Sequence, residues 1–415
     1  MRQYVIIGNG IAAAGCIEGI RSEDKDSKIV VISKEKYPVY CRPLISYYLE
    51  GKTDLKKMNY RAESFYKDNN CEVIYGRQAD KIDYQNNVVV LDDKSTIPYS
   101  ALCVATGSIP FVPKFDGLDT VKNRFCFMTL DDTLALEKAI TAQSKILIIG
   151  AGLIGLKCAE GLSGRVSSIT VCDLKEQILS SILDEDTAPI VQKHLEHNGI
   201  KFMMADSAVR FEGNKAFMKS GKTVDFDILV TAVGVRPNTL LVSEIGGRVN
   251  HAIVIDEKMQ TSLLNIYAAG DCTEGYDIAF GESRVLALLP NAYMQGHTAG
   301  VNMAGGTAVF DKAIAMNSIG FFGLHIITAG SYVNQKDGGV VDMIIKDGSV
   351  KKFFVRDQLL KGYILVGDVN RAGVYTSLIR DQIPLDTVDF ELLKENASFM
   401  AFSAQNRRKK FGGVV

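Results

Sequence analysis

The chain carries the same glycine signature twice, each time directly behind a run of apolar residues. Gly8-Asn9-Gly10-Ile11-Ala12-Ala13 follows Tyr4-Val5-Ile6-Ile7, and Gly150-Ala151-Gly152-Leu153-Ile154-Gly155 follows Ile146-Leu147-Ile148-Ile149. Each copy reads as a buried parallel strand, a glycine turn, and a helix whose first amides face a pyrophosphate. One such signature is a weak signal. Two of them, each with an acidic residue near the end of the next strand, point to a chain that holds two dinucleotides.

In the first copy a helix over about residues 12–22 leads to the strand Ile29-Val30-Val31-Ile32, with Glu35 just beyond it. A carboxylate there is placed to accept both hydroxyls of a ribose. Ala13 replaces the third glycine and still lets helix and strand approach closely. In the second copy the strand Ile169-Thr170-Val171-Cys172 ends at Asp173. That carboxylate favours the free 2′-hydroxyl of NADH over the 2′-phosphate of NADPH, and Lys175 nearby works against the preference. A doubly wound domain that binds nothing would share these elements, with Glu35 as a solvated turn carboxylate. The agreement among the elements favours binding.

The rest of the chain supports a duplicated architecture. Ala101 to Ser108 and Asp227 to Gly234 are both apolar strands that run into a glycine, so the two halves read as internal copies. Tyr37 to Ser46 is aromatic and proline-rich, which excludes a simple helix. Pro110 and Pro113 mark a crossover into the second nucleotide unit, and Arg236-Pro237-Asn238 the return. Thr129-Leu130-Asp131-Asp132 has the form of a helix start, with acids in the first turn. Ile266 to Asp271 is a third apolar strand, followed by an acidic, glycine-containing loop and a helix over about residues 290–299. From about Asp311 the pattern changes to period-2 strands with turns at Lys336–Gly339 and Lys346–Gly348, which suggests a small α+β module. A basic tail, Asn406 to Val415, closes the chain.

Composition narrows the function. With 415 residues, several cores are expected. A net charge of -1 argues against nucleic acid or an anionic membrane as the main partner. No run of about 18 uncharged apolar residues occurs, so no membrane span is expected. The first strand begins at residue 4, which leaves no room for a signal peptide. Eight cysteines are scattered without a CxxC pair, against a zinc ribbon, a protein-ligated iron–sulfur cluster of the usual spacing or a redox dithiol. No metal site is expected, and scattered thiols fit a reducing cytoplasm.

This ordered set resembles the two-dinucleotide-binding flavoproteins, the FAD- and NAD(P)-dependent pyridine nucleotide oxidoreductases. Within them it is most similar to the ferredoxin reductase, rubredoxin reductase and nitrite reductase flavin-domain branch, over about residues 3–370. The resemblance implies an α/β chain with two Rossmann-like, glutathione-reductase-like domains and a small C-terminal α+β domain. It divides the chain into a discontinuous FAD domain (1–112 and 252–310), an NAD domain (113–251), an α+β interface domain (311–405) and the tail (406–415).

The resemblance also assigns residues. Gly8, Gly10, Ala13 and Glu35 would hold the adenosine and pyrophosphate of FAD. Arg42 and Pro43 match an Arg-Pro pair that lies under the flavin ring, with a plain surface cation as the alternative for Arg42. Ala105, Thr106 and Gly107 form the Ala-Thr-Gly motif beside FAD. Gly270 and Asp271 form the Gly-Asp motif, in which Asp271 binds the ribityl chain. Asn291 lies in the helix that points at the pyrimidine end of the flavin. Gly150, Gly152, Leu153, Ile154, Gly155, Asp173 and Gly234 would bind the nicotinamide dinucleotide.

Two departures from the family pattern stand out. Where relatives pair a Glu with a Lys beside the flavin, this chain has Lys157 and Tyr47. A cation and a phenol would face the reactive edge, with a lysine that reaches solvent as the alternative, and a Lys157 near N5 would raise the flavin potential. Cys41 sits where peroxide-, oxygen- and coenzyme-A-disulfide-reducing relatives keep a flavin-side cysteine, but in a Cys-Arg-Pro context in place of Cys-Gly. The neighbouring Arg42 would lower its pKa.

The implied function is an FAD flavoprotein that passes electrons between NADH, with NADPH disfavoured, and an iron–sulfur, ferredoxin or rubredoxin-like carrier or partner subunit. The alternatives are an NADH oxidase, peroxidase or coenzyme A disulfide reductase that uses Cys41, and a low-turnover flavin-bearing subunit. The basic tail Arg407 to Lys410 is either a solvated end or a docking arm for an acidic carrier. The C-terminal module would serve a homodimer or a heteromeric complex.

Overall fold

The computed structural model describes residues 2–332 and 339–402. Residues 336–338 of the expected Lys336–Gly339 turn and the whole basic tail, Asn406 to Val415, lie outside the described residues.

Two parallel sheets carry the nucleotide folds; four strands of each follow one order, while the fifth, an edge strand, comes last in the chain in the first sheet (Ile266–Ala268) and first in the second (Arg124–Phe125). In the first, the strands run in the order Ile266–Ala268, Ala101–Val104, Gln3–Ile7, Lys28–Ser33, Cys71–Tyr75, all parallel. In the second the order is Ile200–Met204, Ser168–Asp173, Lys145–Ile149, Ile228–Thr231, Arg124–Phe125, again all parallel. Each glycine turn leaves the middle strand of its sheet, where the strand order reverses and a crevice opens for a ligand. A three-stranded antiparallel meander follows in each half, Ala79–Asp83, Val88–Leu91 and Thr96–Pro98 in the first, Ala208–Glu212, Lys215–Met218 and Thr223–Asp225 in the second. The duplication read from the strand–glycine repeat therefore extends to the whole half.

The middle strands are apolar without alternation because both faces are covered. Tyr4, Val5 and Ile6, like Leu147 and Ile148, are fully buried. Such strands belong to parallel sheets with helices on both sides.

By its own contacts the chain forms two compact units. One holds both nucleotide folds: residues up to Ile178, Gly199–Tyr276 and Ser283–Asp311. The other takes Leu179–Asn198, Asp277–Glu282 and the chain from Lys312 on. The segment Leu179–Asn198, inside the expected 113–251 domain, makes its contacts with this second unit. Within the second unit the Lys352 ammonium binds the carboxylates of both Asp184 and Asp186, and His194 Nε2 lies 3.0 Å from the Phe321 carbonyl oxygen. The C-terminal part of this unit is a five-stranded antiparallel sheet, Met316–Phe321, Leu324–Gly330, Leu359–Val366, Ser349–Arg356 and Val340–Lys346. Its hairpin turn at Asp347-Gly348 has positive φ at both residues, as the expected turn requires.

The acidic loop expected after Asp271 begins instead as a strand, Thr273–Asp277. Glu274 points inward and is almost fully buried. It accepts hydrogen bonds from Asn250 Nδ2 at 2.6 Å and from the amides of His251 and Ala252. A charge that meets three donors can lie in a strand, which acidic composition alone does not reveal.

Candidate active site

The two glycine turns show which glycines serve the fold and which leave room for something else. Gly8 has φ 109° and Gly150 φ 114°, conformations that suit glycine alone. A Cβ on Gly8 would collide with the Ala105 carbonyl, on Gly150 with the Ala232 carbonyl, and on Gly155 with the Gly150 carbonyl. These three are explained by the protein itself. Gly10 and Gly152 are not. Both have negative φ, stand at the N-cap of their helices without a side-chain cap, and would meet no protein atom within 4 Å if given a Cβ. Open space beside uncapped amides fits a pyrophosphate at both helices, Ile11–Glu23 and Leu153–Leu162. Ala13 is fully buried, and Leu153 and Ile154 are half-buried on the first turn of the second helix.

The two ribose-site carboxylates are held differently. Asp173 accepts backbone amides, Ala151 N–H at 2.8 Å and Lys175 N–H at 2.9 Å, so it ties its strand end to its own glycine turn. Glu35 is held by side chains, accepting the Tyr40 hydroxyl at 2.7 Å and Arg42 Nη2 at 2.6 Å. Arg42 also donates through Nη1 to the Met128 carbonyl at 2.8 Å. Its guanidinium is therefore held between Glu35 and the Met128 carbonyl and is no free surface cation.

The remaining first-site residues gather around the end of the middle strand. Ala105 donates its amide to Ile7 O, and Gly107 turns the chain with φ 64°. Thr106 Oγ1 donates to Asn238 O at 2.7 Å, which joins the outgoing strand Ser108–Pro110 to the returning Val235–Pro237 as an antiparallel pair. Gly234, φ 118°, begins that return. Gly270 has φ 84° and gives its amide to the buried Gln295 Oε1 at 2.8 Å. Next to it, burial raises the Asp271 carboxyl pKa against the opposing charge of Arg42. Among the described residues the Asp271 carboxylate makes no hydrogen bond. A half-buried acid of that kind suits the hydroxyls of a ligand chain.

Sequence reasoning missed how the second helix at this site is positioned. Helix Leu289–Met303, with Pro290 in its first turn and the buried Asn291 beside it, packs on Ile11–Glu23. A Cβ on Gly15 or Gly19 would strike Tyr293 or His297 backbone, and one on Gly296 or Gly300 would strike Ala12 or Cys16 backbone. Two glycine pairs four residues apart, Gly15/Gly19 and Gly296/Gly300, were the visible signal.

Lys157 and Tyr47 do meet. The Lys157 ammonium lies 4.8 Å from the centre of the Tyr47 ring and is also ion-paired to Glu160, a carboxylate only 5% exposed. Because Glu160 neutralises it, Lys157 brings no isolated positive charge to raise a flavin potential, and it does not run free to solvent. Tyr47 sits on the short helix Ile45–Leu49, which follows the turn Arg42–Leu44 that contains Pro43. Cys41 also departs from expectation. Burial pushes its thiol pKa up, since the Arg42 guanidinium is spent on Glu35 and Met128. All eight cysteines are unpaired, with Cys16 and Cys272 buried in the core.

Two nucleotide folds joined by a crossed pair of strands, each with an empty-sided glycine at a helix start, define a two-dinucleotide oxidoreductase fold. The profile of the pyridine nucleotide-disulphide oxidoreductases matches residues 2–296, and the chain belongs to that family. It is 30% identical to the nitrite reductase [NAD(P)H] of Bacillus subtilis over 92% of this chain and 47% of that protein. It is 32% identical to the NADH-dependent phenylglyoxylate dehydrogenase subunit epsilon of Aromatoleum evansii, over 91% of each. With an NADH oxidase of Methanocaldococcus jannaschii it shares 36% identity over 76% of this chain and 73% of that one. The chain thus spans about half the length of the nitrite reductase. A putidaredoxin reductase in covalent complex with putidaredoxin has the same fold, with a TM-score of 0.87 at 21% identity, over 95% of this chain and 96% of that one. The family is FAD-binding and uses NADH or NADPH.

Proposed function

We propose that the chain is an electron-transfer flavoprotein that takes electrons from NADH and delivers them to an iron–sulfur or rubredoxin-like carrier, or to a partner subunit. Residues 1–112 with 252–310 hold FAD, and residues 113–251 hold the nicotinamide nucleotide. FAD, when bound, would accept one hydride from NADH and give up its two electrons singly. The chain's residues bind and orient. Gly10 and Gly152 leave room for the two pyrophosphates, Glu35 and Asp173 receive ribose hydroxyls, and Asp271 meets the ribityl hydroxyls. The Ile11–Glu23 and Leu289–Met303 helices, locked together by their glycines, hold two helix N-termini to the first site.

The observation that carries this reading is the pair of glycines, Gly10 and Gly152, whose missing side chains nothing in the protein explains. Relatives named for NADH support the nicotinamide as one electron partner, and one named as a dehydrogenase subunit supports a partner subunit as the other. Asp173 supports NADH over NADPH. Free cysteines throughout support a cytoplasmic location, and no helix among the described residues is long and apolar enough to cross a membrane.

The oxidase or peroxidase reading needs a reactive Cys41, and the raised thiol pKa speaks against it. A steady-state assay with NADH and a panel of iron–sulfur and rubredoxin carriers, run beside oxygen, peroxide and disulfides, tests the proposal. Carrier reduction that survives Cys41→Ser is expected. Turnover confined to oxygen, peroxide or disulfides, and lost in Cys41→Ser, would reverse the choice.

A further inference from the structure

The stretch from Tyr37 to Arg42 makes contacts that neither nucleotide fold requires for itself. Its side chains leave the first fold and reach the start of helix Leu130–Ala139, next to the second. Tyr40 donates its hydroxyl hydrogen to Glu35 Oε2 at 2.7 Å and accepts the Leu130 amide at 3.0 Å. Arg42 joins Glu35 Oε1 to the Met128 carbonyl. Tyr37 donates its hydroxyl hydrogen to Asp131 Oδ1 at 2.6 Å, not to Glu35.

Leu130 is the first residue of its helix, so no helical carbonyl can take its amide. The capping box of Thr129 and Asp132 satisfies the amides of those two residues. The Leu130 amide is answered only from outside, by a tyrosine that is itself buried. Burial, reinforced by the Glu35 charge, pushes the Tyr40 pKa up. The hydroxyl therefore remains protonated in the neutral range and keeps donating to Glu35.

We propose that Tyr40 is a positioning residue that couples the ribose end of the first nucleotide site to the start of helix Leu130–Ala139. The coupling rests on the reading that the first site holds FAD. A ribose that donates to Glu35 fixes the carboxylate, the fixed carboxylate orients the Tyr40 hydroxyl, and the oriented oxygen holds the Leu130 amide. By linkage, a held Leu130 must favour FAD to the same degree.

Amide hydrogen exchange on apo and FAD-loaded protein tests this directly. In the unmodified chain, FAD should slow exchange at Leu130 by about tenfold, the factor a coupling of about 1.4 kcal/mol produces. In Tyr40→Phe, Leu130 should exchange faster in the apo protein and gain nothing from FAD, with FAD affinity reduced several-fold. Tyr37→Phe should keep the FAD-linked protection. FAD bound with no change at Leu130 in the unmodified chain overturns the coupling alone, and that comparison needs no variant to fold. Equal FAD-linked protection in Tyr40→Phe also overturns it. A protein that takes up no FAD overturns the cofactor reading as well.

Discussion

The two nucleotide halves share a four-stranded core order and a three-stranded meander, yet they close their sites in different ways. In the first, the ribose carboxylate is braced by Tyr40 and Arg42, a half-buried Asp271 waits beside Gly270, and a second helix is pressed in through four glycines. In the second, Asp173 is braced only by amides of its own turn and strand end. One site is assembled from distant parts of the chain and the other from one contiguous βαβ unit. The first arrangement suits a resident cofactor, the second a substrate that comes and goes. On the proposed reading, long-range side-chain bracing marks the site of the held nucleotide and local bracing that of the visiting one.

Substitutions at the glycines separate fold from site most sharply. Gly8→Val forces a β-branched residue to positive φ and into the Ala105 carbonyl, and should destabilise the chain by about 3 kcal/mol or more with loss of FAD. Thermal unfolding and flavin content read this out. Gly152→Val, whose Cβ meets no protein atom within 4 Å, should leave the melting temperature nearly unchanged while weakening NADH binding at least tenfold, about 1.4 kcal/mol. If Gly152→Val instead unfolds the chain, the open-cradle argument fails.

A smaller effect is expected at the second carboxylate. Asp173→Asn should raise KM for NADH by about tenfold and narrow the preference over NADPH, seen as the ratio of kcat/KM values. FAD content should not move, because Asp173 touches nothing in the first half.

At the contact between Lys157 and Tyr47, Tyr47→Leu removes a cation–π interaction of about 0.5–1 kcal/mol. Lys157→Met strips the buried Glu160 of its cation, so its loss in chemical denaturation should be clearly the larger of the two.

The smallest expected effect is a pH dependence confined to the first half. Asp24 ends the helix Ile11–Glu23, and hydrogen bonds from the Ser27 hydroxyl and amide hold its pKa well below the usual carboxylate range. Its folded pKa is lowered, so its contribution is complete above the unfolded value of about 3.9 and fades as pH falls towards the folded one. Asp24→Asn should flatten the acid limb of stability against pH and leave the neutral plateau slightly lower.

Much of this was legible in the sequence because the deciding elements are local. Buried apolar runs ending in glycine gave both middle strands, and Thr129 to Asp132 gave a helix start that proved a capping box. What escaped was set by distant partners. Glu274 read as loop because its three donors lie more than twenty residues earlier. Nothing local announces that Asp184 and Asp186 bind Lys352, more than 160 residues later. The positions of Arg42 and Tyr40 depended on Glu35, Met128 and Leu130 together, which no periodicity encodes. The lowered Cys41 pKa failed for the same reason, since adjacency to an arginine in sequence did not aim the guanidinium at the thiol.

The most direct measurement is an anaerobic NADH titration of the purified protein after incubation with FAD and removal of the excess. The account expects a yellow protein that bleaches with one NADH per bound flavin, and far more slowly with NADPH. A protein that remains colourless after incubation, or a bound flavin that NADH leaves oxidised, would contradict it.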